Sequence, residues 1–121
     1  MPVTYSIAST TVLVIFHGIV TDRELLQAQT ALFEDPRFDG PMPRLVDATE
    51  VTAMEFTAGI VRHIAEAAYH RGLRRAALVA NDTRVVYGLL RMYQSYMGDA
   101  VVEVFRDRAA AFEWLLGARQ I

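Results

Sequence analysis

The chain has 121 residues, of which 53% are hydrophobic, and a formal net charge of −2 with acids and bases interspersed. A domain of this length buries roughly two-thirds of the surface that its unfolded chain exposes, so a single domain over residues 1–121 is expected. The mixed charge argues against a nucleic-acid partner, because phosphate backbones select clustered lysine and arginine. Cysteine is absent, which excludes thiol catalysis, disulfides and thiolate metal sites.

Nothing in the sequence indicates a membrane protein. The longest apolar run, Val12–Phe16, is far too short to span a bilayer, and no cationic segment leads into an apolar one at the amino terminus. We therefore expect no transmembrane segment and a cytoplasmic location. The lack of cysteine is compatible with that reducing compartment.

The chain opens on two runs of β-branched and aromatic residues, Thr4–Ala8 and Thr11–His17. The two residues between them are typical of a tight hairpin. Both faces of the second run are apolar, which predicts a strand in the middle of the sheet, covered on each side.

The first helix is predicted from a capping-box sequence. In Thr21–Glu24 the Thr21 hydroxyl can accept from the Glu24 amide and the Glu24 side chain can return the bond, so a helix begins at Asp22. An Asp-Pro pair at 35–36 ends it. The three prolines and the glycine of residues 35–43 indicate a surface loop. The buried stripe of the helix is predicted at Leu25, Ala28 and Leu32, with Leu26 and Phe33.

Three further strands, each followed by a helix, complete the chain. The strands are predicted at Arg44–Ala48, Ala76–Ala80 and Val101–Phe105. The helices that follow them are predicted at Phe56–Arg71, from Asn81 or Asp82 to about Met97, and after a cap at Asp107. Gly72 and Gly98 are placed where helices stop. Glu103 is the one charge of the last strand, which favours an edge position. The order ββαβαβαβα predicts an α/β fold with a mixed, mostly parallel five-stranded sheet and four helices.

Several segments, taken in this order, resemble the SpoIIAA-like proteins, small bacterial relatives of the STAS domain. That domain, related to SEC14-like modules, is shared by sulfate transporters and anti-sigma factor antagonists. The resemblance implies a STAS-like fold, and it implies no enzymatic activity and no cofactor. The segments that carry it are Leu45–Asp47, Ala77–Asp82, Tyr87–Tyr93, Val102–Asp107 and Ala110–Leu115.

In the anti-sigma antagonist branch, a serine or threonine at the start of the helix after the third strand accepts phosphate. Laid on this chain without gaps from Asp47, the acceptor position falls on Phe56, which cannot be phosphorylated. A shift of one residue would place Thr57 there, with Gly59 behind it. A phosphorylation-switched regulator that uses Thr57 therefore stays an alternative.

Loops at the carboxyl ends of strands are where open α/β sheets place ligands and partners. We therefore expect a non-catalytic regulatory domain that binds through residues 47–59 and the turn at 81–84. Several acids are expected at this edge, which favours a neutral ligand or a basic protein surface over an anion. The occupant is either a protein partner or a small apolar ligand, and a carrier role predicts an enclosed apolar cavity beside Phe56 and Tyr93. The candidate binding residues are Asp47, Thr49, Glu55, Phe56, Thr57, Asn81, Asp82, Arg91 and Tyr93.

The third helix has two apolar stripes. One holds Val86, Leu90, Tyr93 and Met97, and the other holds Val85, Leu89, Met92 and Tyr96. Either the last helix, with Trp114, covers the second stripe, or it is left for a homodimer contact, a partner helix or a lipid-like ligand. Arg91 lies beside these stripes and could pair with an acid of the chain.

Two further patterns concern catalysis and metal binding. His17 and Asp47 could converge as a base and an acid, although a histidine that ends a buried strand is more often structural. His63 and His70 are two turns apart on the second helix, too far to chelate one metal ion. Arg62 and Glu66 are instead expected to form an i, i+4 ion pair on a solvated face. We expect neither catalysis nor a metal site.

Overall fold

The computed structural model describes residues 2–117. Two strands, β1 and β2, open the chain, and three strands alternate with four helices after them. The bounds are β1 Val3–Ala8, β2 Thr11–Thr21, α1 Asp22–Glu34, β3 Arg44–Glu55, α2 Ala58–His70, β4 Ala76–Val79, α3 Arg84–Met97, β5 Val102–Phe105 and α4 Arg108–Gly117. No helix within residues 2–117 has both the length and the apolar character needed to cross a membrane.

The strands form one five-stranded sheet in the order β1-β2-β3-β4-β5. β1 runs antiparallel to β2, and each later neighbour is parallel. This confirms the predicted α/β architecture and the edge position of β5. The predicted hairpin is present, with Ser9 in the left-handed region at a φ of 58°.

Alternation along the strands divides the core into two clusters. On β3, Val46 and Ala48 face the same side as Leu78 of β4 and pack with residues of α1, α2 and α3. Leu45 faces the opposite side, where Ala111 and Leu115 of α4 cover it. Within residues 2–117, the sheet therefore carries three helices on one face and α4 alone on the other.

β2 and β3 are longer than predicted. Residues 50–55 were expected to form a loop after Asp47, but they continue β3 and pair in parallel with residues 17–21 of β2, with two register shifts on the way. Val51 and Met54 are buried by this extension, and their packing explains why the strand continues past the acid. α2 consequently begins at Ala58 rather than Phe56.

The start of α3 also differs from the prediction. Thr83, and not Asn81 or Asp82, is the N-cap residue. Asn81 anchors the turn instead, because its Oδ1 accepts from the Thr83 amide at 2.9 Å and its Nδ2 donates to the Val51 carbonyl at 2.9 Å. The turn after β4 is thereby fastened to the extended part of β3.

Coverage of the sheet by α4 is only partial. β2 lies inside the sheet as predicted, but Ile19 on it is 52% exposed, so its cover is incomplete. α4 packs on β3, β4 and β5, on the face opposite α3, and so it does not cover the second stripe of α3. Val85 and Tyr96 of that stripe are exposed.

Other predicted boundaries are confirmed. α1 begins at Asp22, where Glu24 Oε1 accepts from both the backbone amide and the hydroxyl of Thr21, at 2.9 and 2.8 Å. Gly72 and Gly98, which end α2 and α3, have φ values of 84° and 94°. These left-handed positions suit glycine, which has no Cβ to clash.

Candidate ligand-binding cavity

A cavity of about 100 Å³ lies between the sheet and helices α1, α2 and α3. Its wall is almost entirely apolar, and every strand from β1 to β4 contributes to it. For scale, an engineered protein cavity of roughly 150 Å³ lined by apolar residues holds benzene. The apolar part of the lining consists of Val3, Val14, Phe16, Leu25, Ala28, Leu32, Val46, Phe56, Val61, Ile64, Leu78, Leu89 and Leu90.

The sequence predicts this cavity in part. Phe56 and Tyr93, the two residues beside which a carrier was expected to have an apolar cavity, both line it. Leu25, Ala28 and Leu32, the predicted buried stripe of α1, form its wall on that side. Phe56 reaches the cavity because it lies in the short link between β3 and α2, outside the helix in which the sequence had placed it.

Four lining residues carry polar atoms, namely Tyr5, Gln29, Arg44 and Tyr93. Gln29 Nε2 donates to the carbonyl of Ile64 at 3.3 Å and so joins α1 to α2 at the cavity wall. Desolvation raises the pKa of Tyr93 above its ordinary value, and the nearby Arg44 charge opposes that rise. Tyr93 is therefore a neutral phenol at physiological pH.

Arg44 is the unusual member of the wall. It begins β3 on the same face as Val46, and it is only 7% exposed. Its Nε and Nη2 are buried and have no hydrogen-bond partner among the described residues, while its Cζ lies 5.8 Å from the centre of the Phe38 ring. Burial lowers the pKa of the guanidinium, but arginine keeps its proton at physiological pH. A positive charge is therefore held inside an apolar wall.

Tyr5, which lines the cavity, is hydrogen-bonded to Asp35. The Tyr5 hydroxyl donates to Asp35 Oδ2 at 2.9 Å, and the Arg37 guanidinium lies 2.8 Å from the same oxygen. The hydrogen bonds from Arg37, followed by that from Tyr5, hold the pKa of Asp35 well below its usual range. Bonding to Asp35 in turn raises the pKa of Tyr5. The Asp35 charge is already paired with a cation other than Arg44.

Asp47, the acid around which the binding surface was predicted, does not line the cavity. It is buried on the α4 face of the sheet, where its Oδ1 accepts from the amide of Thr49 at 2.9 Å and from the Thr49 hydroxyl at 2.6 Å. Its Oδ2 lies 3.2 Å from Nη1 of Arg108. These bonds occupy both oxygens of Asp47 and the hydroxyl of Thr49.

Thr57 caps α2. Its Oγ1 accepts from the Ile60 amide at 3.3 Å, and its own amide donates to Asp22 Oδ1 at 3.3 Å. Thr57 and Glu55 are both exposed. An exposed hydroxyl at a helix amino end is accessible, but Asp22 beside it would repel an added phosphate.

The remaining predicted site residues lie apart from the cavity. Asp82 is exposed and forms a long ion pair of 3.9 Å with Arg106. Arg91 is exposed on α3 and forms no ion pair with any described acid. Of the nine candidates, the structure thus brings only Phe56 and Tyr93 together at the cavity.

The remaining polar patterns of the sequence concern His17 with Asp47 and the polar face of α2. The Asp47 carboxylate is bonded to Thr49 and Arg108 and forms no hydrogen bond with His17 among the described residues. The predicted ion pair of Arg62 and Glu66 is present at 3.0 Å. Within residues 2–117, no three acidic or histidine side chains lie close enough together to hold a metal ion.

Arg44 was predicted only as the first residue of the third strand and is absent from the nine candidates. The sequence does indicate its orientation. Alternate residues of a strand face the same side of the sheet, so Arg44 must face the same side as Val46 and Ala48. A charge in phase with a buried face predicts either a buried ion pair or a ligand contact.

Among solved structures, the chain is similar to an uncharacterized protein of the DUF3478 family with a SpoIIAA-like fold from Shewanella loihica PV-4. The two share 16% sequence identity with a TM-score of 0.60, and the match covers 93% of this chain and 91% of that one. The likeness shows that the fold is SpoIIAA-like, as the resemblance in the sequence implied. Comparison with protein-family models finds no match, and comparison with curated proteins finds none.

Proposed function

We propose that this SpoIIAA-like domain is a non-catalytic binding protein that holds a small apolar molecule in the cavity between the sheet and helices α1 to α3. The observation that carries the proposal is the cavity wall, in which 13 of the 17 lining residues are apolar. A close-packed core of this size contains few voids larger than a water molecule. A void of about 100 Å³ exceeds this, and its apolar wall suits a short hydrocarbon segment.

The expected affinity is modest. Burial contributes about 0.8 kcal/mol for each methylene group, so a segment of six carbons gains about 5 kcal/mol. Such a gain corresponds to a dissociation constant in the range of about a millimolar or somewhat below. A ligand held by apolar contacts alone would therefore exchange readily.

The observed contacts favour a small molecule over a protein partner at the predicted surface. Asp47, Thr49 and Asn81 use their side-chain oxygens or amide in bonds within the chain. A partner would have to compete with those bonds. The aromatic candidates, Phe56 and Tyr93, face the cavity instead.

A methyl NMR titration with toluene, a neutral apolar probe, tests the proposal. Toluene should shift the methyl signals of Val46, Ile64 and Leu78, and it should leave the exposed Val85 unchanged. The absence of any shift, or shifts confined to exposed methyl groups, would contradict cavity binding.

Two alanines supply a matched pair of variants for this titration. Ala28→Phe places a ring in the cavity wall and should abolish the toluene shifts. Ala109→Phe makes the same change at an exposed position of α4 and should preserve them. Leu89→Trp blocks the cavity from α3 and gives an independent check if Ala28→Phe folds poorly.

A further inference from the structure

The buried guanidinium of Arg44 indicates that the ligand has a charged group in addition to its apolar part. Nε and Nη2 lie on one edge of the planar guanidinium, and both are buried without a partner among the described residues. The guanidinium therefore lacks a counter-charge within the described chain, and a carboxylate is the group that pairs best with it. A buried charge with unsatisfied donors is costly unless a partner completes it.

No acid within residues 2–117 forms an ion pair with Arg44. None of the described residues that line the cavity is acidic. Asp35, which contacts the wall through Tyr5, is paired with Arg37. The contact with the Phe38 ring, at 5.8 Å, lies at the limit of cation–π distances and leaves the hydrogen-bond donors unused.

The position of Arg44 gives the site a direction. Arg44 begins β3 and pairs in register with Val12 and Ala76, near the amino ends of the parallel strands. Phe56 follows the last residue of β3, so it lies toward the opposite edge of the sheet. Glu55, the last residue of β3, and Asp82, which follows β4, lie toward that opposite edge, away from Arg44.

We propose that the cavity binds a monocarboxylate with a short hydrocarbon tail, whose negative charge pairs with the guanidinium of Arg44 in the cavity wall. The tail then lies among Val46, Leu78 and Leu90 and extends toward Phe56. This inference rests on the proposed function, since it requires the cavity to take a ligand. It differs from the expectation of a neutral ligand or a basic protein surface, which considered only the carboxyl-end loops.

Isothermal titration calorimetry with three probes tests the carboxylate. Octanoate has both the tail and the charge, 1-octanol has the tail alone, and acetate has the charge alone. Octanoate should bind the wild-type protein about tenfold or more tighter than 1-octanol, because hydrogen bonds to charged groups are among the stronger ones. Acetate should bind far more weakly than either.

Substitutions at Arg44 assign the effect to the guanidinium. Arg44→Met keeps the length and apolar stem, and it should weaken octanoate binding by about tenfold or more while leaving 1-octanol within about twofold. Arg44→Lys keeps a positive charge without the planar guanidinium and should recover only part of the lost octanoate affinity. Arg44→Gln provides a second uncharged variant, and urea unfolding of each variant shows whether it is folded.

The outcomes separate the two proposals. Equal binding of octanoate and 1-octanol, unchanged in Arg44→Met, would overturn the carboxylate site and leave apolar ligand binding standing. Failure of both octanoate and 1-octanol to bind the wild-type protein would overturn the proposed function and the carboxylate site together. Preference for octanoate that disappears in Arg44→Met is the result expected.

Discussion

Nη1 of Arg108, at the first residue of α4, lies 3.2 Å from Oδ2 of the buried Asp47 on β3. The Asp47 side chain is 9% exposed and that of Arg108 is 45% exposed, so the acid is held inside while its partner reaches the surface. This pair fastens α4, the one helix on its face of the sheet, to the strand. Asp47 thus stabilises the fold on the side opposite the cavity.

Replacing Asp47 with alanine should therefore destabilise the protein without affecting the ligand. Asp47→Ala removes the acceptor of the Thr49 amide and hydroxyl as well as the partner of Arg108, and we expect a loss of about 1 to 3 kcal/mol in the free energy of unfolding. Urea denaturation measures that loss. In a double-mutant cycle with Arg108→Ala, the two changes should be less than additive. Full additivity would show that the ion pair contributes nothing.

Gly40 has no room for a side chain. A Cβ added there would overlap the backbone carbonyl of Arg71, at the end of α2, whereas one added at Gly88 would meet nothing within 4 Å. Gly40→Ala should destabilise the fold by about 2 kcal/mol or more, as backbone displacement and strain do. Gly88→Ala, on the exposed side of α3, should instead stabilise it by about 0.5 to 1 kcal/mol. Thermal unfolding of both variants checks the contrast, and equal effects would contradict the close contact.

Thr57 should behave as a helix cap. Thr57→Ala removes the acceptor of the Ile60 amide and should cost about 1 kcal/mol of unfolding free energy, whereas Thr57→Ser keeps the acceptor and should cost little. Ligand binding should be the same in both variants, because Thr57 does not line the cavity. If Thr57→Ala instead abolished ligand binding while the fold stayed intact, Thr57 would belong to the site.

Arg44 should lower the free energy of unfolding of the ligand-free protein. Replacing a buried, incompletely paired charge with an apolar side chain of similar length is neutral or stabilising by about 1 to 4 kcal/mol in other proteins. Without added ligand, Arg44→Met should therefore unfold at an equal or higher urea concentration than the wild type. A marked loss of stability would mean that Arg44 holds the fold together through the Phe38 contact.

The sequence predicts the architecture well because its local signals and the fold agree. The apolar alternation of the strands, the capping sequence at Thr21 and the glycines at 72 and 98 each act within a few residues. The extension of β3 to Glu55 was missed because its burial depends on pairing with β2, about 35 residues earlier in the chain. Long-range pairing of this kind leaves little local trace.

The site was predicted less well than the fold, for a physical reason. Polar residues near strand ends, such as Asp47 and Asn81, were predicted to bind a ligand or partner. Their side chains are instead bonded to other side chains and to the backbone of the chain. Phe56 was identified from its place near the start of the helix after the third strand, and Tyr93 from an apolar stripe of the third helix, and both line the cavity. The importance of Arg44 follows from the structure, in which its side chain lines an apolar cavity that has no acid among its described lining residues.

The most direct test of ligand binding is native mass spectrometry of the protein mixed with excess octanoate, beside Ala28→Phe treated in the same way. The wild-type chain should carry the added mass of octanoate, released on denaturation, and Ala28→Phe should have the mass of the chain alone. A wild-type chain without added mass, or the same added mass on both proteins, would contradict a ligand held in the cavity.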